Sequence, residues 1–130
     1  MANRSATRPT DAELEILNVL WECGPSTVRG VHEAINETKP TGYTTILKLM
    51  QIMTEKGLVV RNENERAHVY EAQLPQEQMQ RQLVFDLLQR AFGGSATKLV
   101  MQALSDERAS AEELAEVRRL INKLERGAKK

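Results

Sequence analysis

The sequence predicts a mainly α-helical protein with a small two-stranded β wing: a winged helix-turn-helix head followed by a helical dimerisation arm. Three observations predict it. Residues 10–57 hold three apolar-striped segments separated by the breaks Gly24-Pro25 and Lys39-Pro40. Two short β-prone runs, Leu58–Arg61 and Ala67–Ala72, then flank the polar turn Asn62–Arg66. Finally, residues 74–130 supply three more amphipathic stretches whose stripes are too wide for a small head to cover. The expected division is a flexible N-terminal tail over 1–9, a winged-helix domain over 10–73 and a helical dimerisation domain over 74–130.

Taken in order, the tail carries Arg4 and Arg8. Thr10 with Glu13 forms a capping box and Asp11 adds negative charge to the first turn, so a first helix starts here and runs to about Cys23. Its stripe is Leu14, Leu17 and Trp21, with Ile16 and Leu20 close by, and Cys23 reads as a small core residue. Ser26 or Thr27 caps a second helix over Val28–Asn36, striped by Val28, Val31 and Ile35. The third helix begins at Thr41 or a neighbour and ends at Gly57, a natural left-handed cap. Pro75 suits the first position of a fourth helix, which continues to about Phe92 and is stopped by Gly93-Gly94. A fifth spans Ala96–Leu104, and Ser110 with Glu113 boxes the start of a sixth.

The third helix is the unusual one. Ile46, Leu49, Met50 and Met53 form its buried stripe, while the other face carries Thr44, Lys48 and Gln51 flanked by Tyr43, Thr45 and Leu47. Hydroxyls, an amide, a cation and an apolar tip are groups suited to base edges and phosphates, whereas an ordinary solvated face is dominated by Glu and Lys. We therefore expect a recognition helix whose base readers are Tyr43, Thr44, Thr45, Leu47, Lys48 and Gln51. Lys39, Lys56, Arg61, Arg66 and His68 are the expected phosphate contacts. Lys+Arg and Asp+Glu are both 18, so bulk charge gives no attraction to nucleic acid. Between Lys39 and Arg61, however, four cations (Lys39, Lys48, Lys56, Arg61) face one anion, Glu55, a local balance of +3. In the arm, Leu83, Leu87, Phe92, Leu99, Val100, Leu104, Leu114, Val117, Ile121 and Leu124 are expected to meet a second chain, with an intramolecular three-helix packing as the alternative.

With 41% hydrophobic and 28% charged residues the chain is expected to fold as a soluble protein. No apolar run approaches the roughly 20 residues of a membrane span, and the N-terminus does not read as a signal peptide, so the expected location is cytoplasmic. No Ser, His and carboxylate constellation, phosphate loop or ligand cluster is present, and the two histidines, His32 and His68, are far apart; neither catalysis nor a cofactor is expected.

The order of these motifs resembles the penicillinase-repressor family, the BlaI/MecI/CopY type of bacterial transcriptional repressor. The resemblance rests on ELEILNVLWECGPSTVRGVHEAI (Glu13–Ile35), YTTILKLMQIMTEKGLV (Tyr43–Val59), the HVY strand (His68–Tyr70) and Gly93-Gly94 ahead of KLV (Lys98–Val100). It implies a homodimer on a dyad-symmetric operator, with contacts from the exposed third helix and the wing. Two positions depart from the family pattern: Leu47 replaces an arginine, and Ile52 stands where a basic residue is common. If Leu47 reads a base, its target is a thymine methyl. In some members a membrane-bound sensor metalloprotease triggers cleavage of an Asn-Phe bond in the arm. The aligned segment here, Met101, Gln102, Ala103 and Leu104, lacks that bond, so proteolytic relief stays an expectation without support from these residues. The cysteine-rich metal site of the copper-responsive relatives cannot be built from Cys23 alone. Two alternatives remain open at this level: a winged-helix protein-interaction module with no operator, and a ligand-binding member of another winged-helix family.

Overall fold

The computed structural model describes residues 8–64, 66–105 and 109–128 and contains, among them, six helices and one two-stranded antiparallel sheet. In chain order these are α1 (Asp11–Cys23), α2 (Val28–Asn36), α3 (Tyr43–Lys56), β1 (Val59–Asn62), β2 (Val69–Ala72), α4 (Gln76–Ala91), α5 (Ala96–Leu104) and α6 (Ala111–Ala128). This is a winged helix followed by C-terminal helices. Residues 1–7 of the expected tail, Arg4 among them, and Glu65 of the expected turn lie outside the described residues, while Pro9 is buried.

Local chemistry sets the helix ends. The Thr10 hydroxyl accepts the Glu13 N–H at 3.2 Å while Glu13 Oε1 accepts the Thr10 N–H at 2.9 Å, closing the capping box of α1. Thr27 caps α2 by accepting the Gly30 N–H at 3.0 Å. Ser26 does something else: it exchanges two backbone hydrogen bonds with Tyr70, at 2.8 and 2.9 Å, adding a one-residue third strand to the wing. Gly42, the neighbour of Thr41, is the N-cap of α3, and it contributes no side-chain cap.

The end of α3 explains where the wing starts. Gly57, at φ +82°, donates to the Thr54 carbonyl at 3.2 Å and Leu58 donates to the Met53 carbonyl at 2.9 Å, the paired bonds of a Schellman motif. Leu58 has thus given its N–H to the helix, and β1 begins one residue later than expected, at Val59, and reaches Asn62. β2 begins at Val69 rather than Ala67, with Val59 opposite Ala72 and Asn62 opposite Val69, which lengthens the connection at the tip.

The head core is built from Ile16, Leu17 and Leu20 of α1, Val28, Val31 and Ile35 of α2, and Ile46, Met50 and Met53 of α3, closed by Leu58, Val59, Tyr70 and Met79. The α1 stripe is therefore rotated from expectation: Ile16 and Leu20 are buried, whereas Leu14 and Trp21 are partly buried at its edge. Cys23 is exposed and not a core residue, because α1 ends there and the chain turns away at Gly24, φ +84°. The Trp21 indole N–H donates to the Leu74 carbonyl at 2.9 Å, tying the segment that follows the wing to α1.

The chain divides into two compact units, one ending at Leu83 and the other beginning at Val84. The division falls inside α4, because Met79 is buried in the head core and Leu83 packs against it. Pro75 stands immediately before α4 rather than at its first residue. In the second unit, Gly93 (φ +57°) and Gly94 (φ +83°) end α4, and Ser95 caps α5 by accepting the Lys98 N–H at 3.2 Å. Ser110 and Glu113 box the start of α6 with bonds of 3.0 and 3.1 Å. No residue of α5 or α6 is buried. Among the described residues no helix is long and apolar enough to cross a membrane.

Candidate nucleic-acid interface

The two sides of α3 differ sharply. Ile46, Met50 and Met53, spaced four and three apart, are buried against α1, α2 and the wing. Tyr43, Thr44, Thr45, Lys48 and Gln51 are all exposed, so five of the six expected readers stand together on the outer surface. Leu47 differs. It is partly buried against the core and lines a cleft of about 540 Å³ with Thr27, Val28, Arg29, Tyr43, Ala67, His68 and Tyr70. Ile52 is also partly buried.

The entry to α3 is fixed by side chains of α2. His32 Nε2 lies 2.7 Å from the Thr41 carbonyl oxygen; a carbonyl can only accept, so this nitrogen carries the proton. The same ring meets Tyr43 edge-on, with centroids 5.7 Å apart and planes at 79°. Asn36 Oδ1 accepts the Thr41 N–H at 2.9 Å, and the Thr41 hydroxyl donates to the Lys39 carbonyl at 2.9 Å. His32 is therefore not the isolated residue its sequence position suggests: it holds both the turn and the first side chain of α3.

The cations sort into paired and unpaired. Lys39 faces Glu15 at 3.4 Å with both side chains largely exposed, a weak surface pair. Arg61 pairs with Glu63, and the neighbouring Tyr70 hydroxyl, with the Glu63 carboxylate, raises its pKa above the ordinary arginine value. Lys56, expected on a phosphate, donates to Glu13 at 2.7 Å. Among the described residues Lys48 and Arg66 take part in no ion pair. The +3 counted along the sequence is thus reduced in space by Glu13 and Glu15, carboxylates of α1 that a window around α3 does not contain. Arg66 and His68 are exposed at the wing connection.

In the second unit the expected dimerisation residues Leu87, Val100, Leu114, Ile121 and Leu124 are exposed, while Phe92, Leu99, Leu104 and Val117 are partly buried. Leu83 is occupied by the head core. Met101, Gln102 and Ala103 are exposed within α5, and Leu104 is partly covered. From the sequence Ser26 reads only as an alternative cap of α2 and Glu13 only as a cap of α1, and nothing there marks His32 or Asn36 as holding the entry to α3. The partners of Ser26 and Glu13, Tyr70 and Lys56, lie far along the chain, and His32 and Asn36 reach Thr41 across the turn, at a spacing no helical period marks.

The comparisons agree with one another. The family model described as penicillinase repressor matches residues 9–123. The transcriptional regulator BlaI of Mycobacterium tuberculosis is 31% identical over 122 residues, covering 93% of this chain and 88% of its own. The methicillin resistance regulatory protein MecI of Staphylococcus aureus is 22% identical over 114 residues, covering 88% of this chain and 93% of its own. The penicillinase repressor of Bacillus licheniformis is 22% identical over 112 residues, covering 86% and 88% respectively. The chain belongs to the penicillinase repressor family.

Proposed function

We propose that this member of the penicillinase repressor family is a homodimeric, sequence-specific DNA-binding protein that represses transcription by occupying a dyad-symmetric operator. The observation that carries the reading is the sidedness of α3. Ile46, Met50 and Met53 are buried in the core and Leu47, Leu49 and Ile52 are half-buried, so the fully exposed positions carry the hydroxyls of Tyr43, Thr44 and Thr45, the Gln51 amide, Glu55, and Lys48, which takes part in no ion pair among the described residues. In the major groove, Gln51 is suited to adenine, Lys48 to guanine or phosphate, and Thr44 and Thr45 to several base edges. Tyr43 joins them at the helix start, and Leu47 presents what is not buried to a thymine methyl. Arg66 and His68 from the wing, with Lys39 and Arg61, bind phosphates and set the register.

The second unit supplies the dimer. Leu114, Val117, Ile121 and Leu124 recur at heptad-like spacing on α6, and a second copy of the same stripe is the self-complementary partner that a two-fold contact requires. Two heads so joined place two α3 helices in successive major grooves about one helical turn apart and exclude the polymerase. Relief by proteolysis would act on Met101–Leu104, which lies within α5, so cutting requires that helix to unwind first.

The test is a footprint of the full chain on the DNA upstream of its own gene at two salt concentrations. Protection of a dyad-symmetric site that survives competition by random duplex is expected. Weak, unpatterned binding abolished by salt would reduce α3 to an electrostatic surface and favour a protein-interaction role instead.

A further inference from the structure

We propose that Lys56 is not a DNA ligand but one half of a positioning pair: with Glu13 it fixes the C-terminal end of α3 against α1, and so sets how the reading face is presented. The inference rests on the operator-binding reading above. Among the described residues of the head Glu13 is the buried charged one, its side chain 3% exposed against 26% for Lys56, and the two meet at 2.7 Å. The same Oε1 also accepts the Thr10 N–H at 2.9 Å, so the carboxylate is held by the cap of α1 before Lys56 reaches it. The charges also sit at opposite helix poles, Glu13 in the first turn of α1 and Lys56 in the last turn of α3, where each is favoured by the local dipole.

This geometry sets Lys56 apart from the other expected phosphate ligands. Arg66 is exposed and in no ion pair among the described residues, like the expected reader Lys48, and the Lys39 pair is largely exposed on both sides. A phosphate competing for Lys56 would leave the Glu13 carboxylate buried with its countercharge removed, which is strongly unfavourable. One residue further on, Gly57 and Leu58 close the helix and begin the wing, so displacement of Lys56 also moves the connection to β1. With His32 and Asn36 holding the entry, α3 is braced at both ends by side chains from the two helices behind it.

The test uses the full chain with Glu13→Gln, Lys56→Met and the two combined. In thermal melts without DNA, each single variant should lower the midpoint, and the double variant should recover most of the loss because no orphan charge remains. Below the melts, each single should reduce the ratio of operator to random-duplex affinity by about tenfold, the discrimination of one base contact. The slope of log affinity against log salt should stay that of the parent, whereas Lys48→Ala makes it shallower by about one. Lys56→Met making the slope shallower by about one while Glu13→Gln leaves binding unchanged would overturn the proposal, as would melting losses that simply add. A parent chain with no operator preference would instead remove the DNA reading that the pair serves; the melting cycle, which needs no DNA, keeps that failure distinct.

Discussion

In α3 the apolar stripe is used up within the chain: Ile46, Met50 and Met53 sit three and four residues apart and all are buried. In α6 the same kind of spacing leaves Leu114 41% exposed, Ile121 47% and Leu124 62%. Periodicity states which face of a helix is apolar, but not what covers it. In the head the cover is three elements of the same chain, and the outer surface is freed for chemistry. In the second unit the stripe stays exposed, and it is the surface proposed above to meet a second copy.

That contrast is breakable. Truncation in the head, Ile16→Ala, should cost about 2–5 kcal/mol, measured by denaturant titration, at every protein concentration. If α6 meets a second copy as proposed, the matching truncation in the arm, Leu124→Ala, should cost stability that grows on dilution, because the contact it weakens would then be between chains. Equal, concentration-independent losses from the two would mean that α6 is covered within its own chain. Next in size is Gln51→Ala, which should relax preference at one base position by roughly 1–3 kcal/mol in a binding-site selection; an unchanged profile removes Gln51 from the reading set. Trp21→Phe keeps the ring packing and loses the donor to Leu74, at about 1 kcal/mol of head stability, with operator specificity retained. Lys48→Ala should weaken operator and random duplex by the same modest factor and flatten the salt dependence. A loss confined to one base position would make Lys48 a reader.

What could be read before the structure was whatever local chemistry writes locally. Thr10 with Glu13, Ser110 with Glu113 and Gly57 name the ends of their helices because capping spans only a few residues. The outer face of α3 was legible for the same reason, as one helical turn repeats along the sequence. What depends on distant partners was not. The Ser26–Tyr70 bridge joins residues 44 apart with no alternation on the Ser26 side, and Leu58 looks like a strand residue until its N–H is found in the helix cap. Counting charge in a window missed Glu13 and Glu15, which sit on another helix and neutralise Lys56 and Lys39. Cys23 looked like core because it continues an apolar run, but burial also requires a neighbour, and α1 has ended.

Leu47 separates two kinds of adaptability on one helix. At Thr44, Lys48 and Gln51 the side chains contribute little to the packed interior, so under the proposed operator reading a lineage could exchange them and acquire a new operator with the fold untouched. Leu47 belongs to the packing and, under the proposed operator reading, to the reading face as well. On that reading any replacement there is judged twice, by the core and by the DNA, so an operator that demands a different residue at this position would be reached only through compensating change in the cleft that Tyr43, His68 and Tyr70 share with it.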